Sequence, residues 1–291
     1  MSGVLQYLDH TVLGYYGLSE APIVTDFISH NKLFPPAGAP AGVDSTTSFG
    51  VEVELEKCQV SDVQMPLWNA EGDGSLKDSG MEYISRPIRG TQFGKAFEEL
   101  EYIFTVNANS VFSHRCSIHV HMGVNDLSIE QLIVLISAYI ASEKLYFNFV
   151  GEGKRHNNAY CFPIVGSGAN IHLLDKKTIC SGDSLKKFKY CGLNFYHLRD
   201  YGTLEFRHHP GTKSIDDLRA WMNAIAALHT YAEKTPLRQH IRNLEDVSMT
   251  KNYSGFISDA FGTALPGADE LTRSETRLMI LAAKHFISDL F

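Results

Sequence analysis

Hydrophobic and polar residues alternate with period two in three segments of the chain. In FGVEVELE, Glu52, Glu54 and Glu56 fall on one face of an extended strand, with Val51, Val53 and Leu55 on the other. In SIHVHMGV, His119 and His121 share a face with Ser117, opposite Ile118, Val120 and Met122. In GTLEFRHHPG, Glu205, Arg207 and His209 alternate with Leu204, Phe206 and His208. A shorter strand over Met81–Ser85 sets Glu82 and Ile84 against Tyr83 and Ser85, and Pro87 ends it. Each segment alone reads as a half-exposed antiparallel strand with a solvated face. As neighbours in one sheet they would gather carboxylates, imidazoles and a guanidinium on a single polar floor. Such a floor repels itself unless cations bind there.

Helical spacing fills much of the remainder. Phe93, Phe97, Leu100 and Phe104 form an apolar stripe within 91–108. Ser128 and Gln131 make a capping box for a helix running to about Phe149. Ser214, with Asp217, caps a helix lined by Trp221, Ile225 and Leu228; Thr272 and Glu275 cap a last helix that packs Leu278, Leu281 and Phe286. Asp73-Gly74-Ser75 is a turn, and two strands, Leu193–Leu198 and Thr203–His209, are joined around Arg199–Gly202. The fold class is α+β: a mostly antiparallel sheet with helices on one face and the polar floor on the other. Residues 1–42 read as an appendage, with a short helix around Thr25–Asn31 and a Pro/Gly linker, FPPAGAPAG. Residues 43–291 read as one domain, helical from about 214.

Composition narrows the setting. Hydrophobic residues at 44% and charged residues at 20% describe an ordinary globular protein, and a net charge of -7 disfavours a nonspecific nucleic-acid coat. Five cysteines, without a C-x-x-C pair, read as reduced thiols. The start lacks a basic stretch followed by an apolar one, and the run Leu132–Ala141 is too short to span a bilayer. A cytoplasmic protein without membrane contact is expected. GEGKRHNNAYCFP carries Lys154 and Arg155, which suit phosphate or carboxylate, and Ser181–Lys189 reads as a basic exposed segment.

FGVEVELE, DGSL with GMEYIS, CSIHVHMG and GTLEFRHHPGT, in that order over Phe49–Trp221, resemble the amidoligase family. Those proteins are similar to glutamine synthetase and the second class of glutamate–cysteine ligases. The resemblance implies a curved, mostly antiparallel sheet that carries Mg²⁺ or Mn²⁺ and ATP. It implies metal ligands at Glu52, Glu54, Glu82, His119 and Glu205, with His121 nearer the nucleotide phosphates. It implies that Arg207 holds the transferring phosphate and, more loosely, that Lys154 and Arg155 lie at the nucleotide and the substrate carboxylate. The implied reaction phosphorylates a carboxylate to an acyl phosphate, which an amine then attacks. The chain has no G-x-x-x-x-G-K-[ST] loop, so the sheet and its metals would have to hold ATP.

The chain departs from the family pattern at Ser117, where glycine is usual, and at Ser85-Arg86-Pro87, where serine–proline is usual. The motifs match no further carboxylate to complete a site at Glu54 and Glu82. The expected partners are a small-molecule or peptide carboxylate and an amine donor. A nucleic-acid substrate has no support in the charge, and a homo-oligomer is compatible with the sequence. The alternatives are a metal-dependent hydrolase built on the His-x-His and glutamate set, and a non-catalytic nucleotide- or metal-binding protein.

Overall fold

The alternating segments pair into one sheet. A computed structural model describes residues 47–61, 65–151, 158–165 and 188–290 of the protein. The strands are β1 (Phe49–Leu55), β2 (Trp68–Glu71), β3 (Met81–Ser85), β4 (Ile118–Gly123), β5 (Leu193–Asn194) and β6 (Thr203–His209). They lie in the order β2-β3-β1-β4-β6-β5, and every neighbouring pair is antiparallel. Helices α1 (Gln92–Val106), α2 (Ile129–Phe149), α3 (Leu198–Tyr201), α4 (Ile215–Lys234), α5 (Leu237–Thr250), α6 (Tyr253–Phe261) and α7 (Arg273–Leu290) complete the described fold.

Period-two patterning puts Val51, Val53, Leu55, Ile118, Val120, Met122, Leu204 and Phe206 into one buried apolar layer. Phe93 of α1 packs on Phe49, while Tyr139 and Tyr146 of α2 and Trp221 of α4 pack on Phe206. Each large side chain buried this way is worth about 1.5–3 kcal/mol. The helices therefore cover the apolar face and leave the other for polar groups.

α2 runs through the centre of this layer. The capping box forms as expected: Ser128 Oγ accepts from Gln131 N, and Gln131 Oε1 accepts from Ser128 N. The helix is longer than its uninterrupted apolar run, and by length and composition it is able to cross a membrane. Yet 83% of its most apolar window is buried inside the protein, so it serves as the core helix. It also carries Glu143, whose carboxylate accepts from Ile164 N, Val165 N and the Tyr139 hydroxyl. Burial pushes this carboxyl up to about 7, against the pull of the three donors. Glu143 thereby fixes the segment 158–165 beside β6.

Two expectations change. The stretch Leu193–Leu198 is a strand only over Leu193–Asn194, because Asn194 Oδ1 accepts from Tyr196 N and turns the chain into α3. α3 ends at Gly202, with φ 61°, where a Cβ would sit 1.6 Å from Asn125 Oδ1, so only glycine fits. On α7 the buried stripe is Met279, Ile280, Ala283, Phe286 and Ile287, while Leu278 and Leu281 are half exposed. The apolar face of α7 is thus turned by about one residue from the expected one, because its contact with α2 sets the phase. Thr272 and Glu275 cap the helix as expected. The appendage and linker, Lys154, Arg155 and most of the basic segment lie outside the described residues. The described end of that segment begins with Phe188, which is buried. Four described cysteines, Cys58, Cys116, Cys161 and Cys191, are free thiols.

Candidate metal and nucleotide floor

Strand register brings the nominated residues together. Glu54 lies opposite Glu82, and Glu52 opposite His119. His121 lies opposite Glu205, and Glu205 opposite Asn194. Opposed residues in an antiparallel pair point to the same face, so five strands contribute to one floor.

The contacts form a connected set. Glu52 reaches both histidines: Oε2 lies 3.1 Å from His119 Nδ1, and Oε1 lies 3.1 Å from His121 Nε2. His119 Nδ1 is also 3.4 Å from Glu205 Oε1. Arg207 pairs with the same carboxylate through Nη1, and its Nε donates to the Tyr160 carbonyl at 3.1 Å. Ser117 Oγ donates to Glu54 Oε2 at 2.5 Å and lies 2.7 Å from His119 Nε2. The serine that departs from the family pattern is therefore a bridge between two nominated ligands.

Charge on the floor is uneven. Burial raises the Glu52 carboxyl, but hydrogen bonds and charge from His119 and His121 hold it well below the usual carboxylate range. Burial works against a charged His121, yet the bond and charge of Glu52 raise it above the ordinary imidazole value. Glu82 has no such partner. Burial, and then the charges of Glu52, Glu54, Asp73 and Glu71, push it up to about 8. At neutral pH Glu82 keeps a proton, and a cation held by Glu82 must release it. Glu205 is buried, which raises its carboxyl, but the Arg207 guanidinium and then His121 and His119 bring it below the ordinary value.

The donor chemistry fits divalent metal. Glu52, Glu82 and His119 each offer a ligand atom within 4.8 Å of the others, as do Glu52, His121 and Glu205. A third group is Glu54, Asp73 and Glu82. His121 Nε2 is buried and faces Glu52 Oε1 at 3.1 Å. Carboxylates alone suit Mg²⁺, and carboxylates with an imidazole also suit Mn²⁺.

The sequence pattern misplaced one residue, His209. The register of β4 and β6 shifts between Ile118 and Val120, so Arg207 and His208 together oppose His119. His209 then pairs with Ile118 and packs toward Trp221, on the helix side, instead of sharing the floor with Glu205 and Arg207. His208 lies in the core, as expected, with Nε2 2.9 Å from the Tyr139 hydroxyl. Glu56 lies just past β1, where its carboxylate accepts from Lys77 N, and it joins none of the candidate metal groups among the described residues.

Three floor residues escaped the pattern. Asp73 sits in a turn, where Oδ1 accepts from Ser75 N, and supplies the carboxylate that the motifs did not match to Glu54 and Glu82. Asn194 Nδ2 donates to Glu205 Oε2 at 2.5 Å, and His197 Nε2 lies 3.6 Å from the same oxygen. The signal for Asp73 was the acidic first residue of the turn. Asn194 and His197 gave none, because the tight turn at Tyr196 breaks the alternation. No known family model matches the chain, and no curated protein matches it.

Proposed function

We propose that the protein is an ATP-dependent carboxylate–amine ligase of glutamine synthetase-like fold, which forms an amide or peptide-like bond through an acyl phosphate. One observation carries this reading. Carboxylates and imidazoles from β1, β3, β4 and β6 meet on one face, around a guanidinium that is itself paired with one of those carboxylates.

In this reading Glu52, Glu54, Glu82, His119 and Glu205 hold Mg²⁺ or Mn²⁺, joined by Asp73. The metals, when bound, neutralise the phosphates of ATP. His121, held by Glu52, would contact the phosphates. Arg207 is fixed by Glu205 and the Tyr160 carbonyl, so its charge needs no reorganisation as negative charge moves on the transferring phosphoryl group. Asn194 holds the second oxygen of Glu205 and thereby the orientation of the pair. Lys154 and Arg155 remain the nominated contacts of the nucleotide and the substrate carboxylate.

The chemistry has two steps. A substrate carboxylate oxygen attacks the γ-phosphorus, and the bond to the leaving ADP breaks. The amine nitrogen then attacks the carbonyl carbon, inorganic phosphate departs, and the nitrogen loses a proton. The substrate is a small-molecule or peptide carboxylate and the donor an amine. Free thiols and ATP use fit a cytoplasmic setting.

One observation favours a second reading. His197 gives the floor a third imidazole, and a softer ion such as Zn²⁺ would then suit a metal-dependent hydrolase. Hydroxylamine with a panel of carboxylates, ATP and Mg²⁺ or Mn²⁺ separates the two. The ligase yields a hydroxamate and ADP in equal amounts. Hydrolysis supported by Zn²⁺ without ATP contradicts it.

A further inference from the structure

Four basic side chains meet on the helical layer, away from the floor. A groove of about 430 Å³ runs between α7 and the C-terminal end of α5. Arg273, Arg277 and Lys284 of α7 line one side, and Lys251 lines the other. Among the described residues, no carboxylate lines this groove and none of the four cations is ion-paired. The chain as a whole carries 33 acidic and 26 basic residues, so this lining is far from its average surface.

The spacing is orderly. Arg273 and Arg277 lie one helical turn apart, about 6 Å, and Lys284 lies about 10 Å further along the same stripe. Lys251 occupies the left-handed residue after α5, with φ 63°, where glycine is the common choice. Between the cations the walls combine apolar Val247, Ile280 and the half-exposed Leu281 with the hydroxyl-bearing Ser248, Tyr253 and Thr276. A ligand that fits both features carries a chain of negative charge and a compact apolar or planar body. The volume lies within the usual range for small-molecule sites.

We propose that this groove is a second binding site, independent of metal, for an organic polyphosphate of nucleotide size. The proposal does not depend on the ligase reading. The floor is rich in carboxylates and needs cations to accept phosphate, whereas the groove supplies its own.

The test is equilibrium binding of ATP and of inorganic tripolyphosphate to the full chain in the presence of EDTA. Both are expected to bind, ATP more tightly, and both more weakly as salt rises. Arg273→Glu with Arg277→Glu should weaken binding at least about tenfold. The melting temperature should not change, because both side chains are exposed and have no ion-pair partner among the described residues. Absence of metal-free binding overturns the proposal. So does binding that survives the double reversal but falls in Glu52→Gln, which places the nucleotide on the floor. An oligonucleotide or an acidic peptide that binds more tightly than ATP overturns the ligand class.

Discussion

Glu52→Gln is expected to lower turnover by two to three orders of magnitude or more, on the scale of losing one electrostatic stabiliser of a transition state. Glu52 belongs to two of the candidate metal groups, one with Glu82 and His119 and one with His121 and Glu205. Its two carboxylate oxygens each lie 3.1 Å from a ring nitrogen of one histidine of the His-x-His strand. Glutamine keeps the volume and one carbonyl oxygen but removes the charge that both groups share. The metal-free fold should be little affected, because two effects oppose. The change forfeits the pairing with His119 and His121, and it relieves the repulsion that raises Glu82. Steady-state turnover and metal affinity, measured beside the melting temperature, check the claim. Turnover within tenfold of wild type would remove Glu52 from the metal floor.

Arg207→Lys has the second largest expected effect. The guanidinium reaches Glu205 through Nη1 and the Tyr160 carbonyl through Nε. Lysine places one point charge at the end of a flexible stem and cannot hold both partners in one plane. The charge stays near the floor, so affinity for ATP with metal should change by only a few-fold. The catalytic rate should fall about a hundredfold, because the charge is no longer fixed where phosphoryl charge develops. A split between kcat and the nucleotide KM is the diagnostic. A rise in KM at unchanged kcat would make Arg207 a ground-state binding group only.

Strand patterning carried most of the floor because period two is a rigid rule in a paired strand. Glu52, Glu54, Glu82, His119, His121, Glu205 and Arg207 are all placed by alternation alone. The rule failed where backbone geometry departs from the ladder. The β6 bulge turned His209 to the helix side, and the turn at Asn194 brought that residue and His197 to Glu205. Asp73 was legible as a turn residue, but its approach to Glu54 and Glu82 depends on how β2 and β3 pair, which local sequence does not encode. On α7 the apolar positions are plain in the sequence, but only packing against α2 shows that Leu278 and Leu281 face outward.

The most direct test of the floor is the melting temperature with ATP, Mg²⁺, Mn²⁺ and Zn²⁺, singly and together, for wild type and Glu52→Gln. A ligand that binds only the folded state raises the melting point by linkage. ATP with Mg²⁺ or Mn²⁺ should stabilise wild type by on the order of 5 °C at a hundredfold excess over Kd, beyond the sum of the separate effects. Glu52→Gln should lose that excess and keep only what ATP alone provides. Stabilisation by Zn²⁺ alone, with no added effect of ATP and Mg²⁺ or Mn²⁺ together, would contradict the ligase and favour the hydrolase.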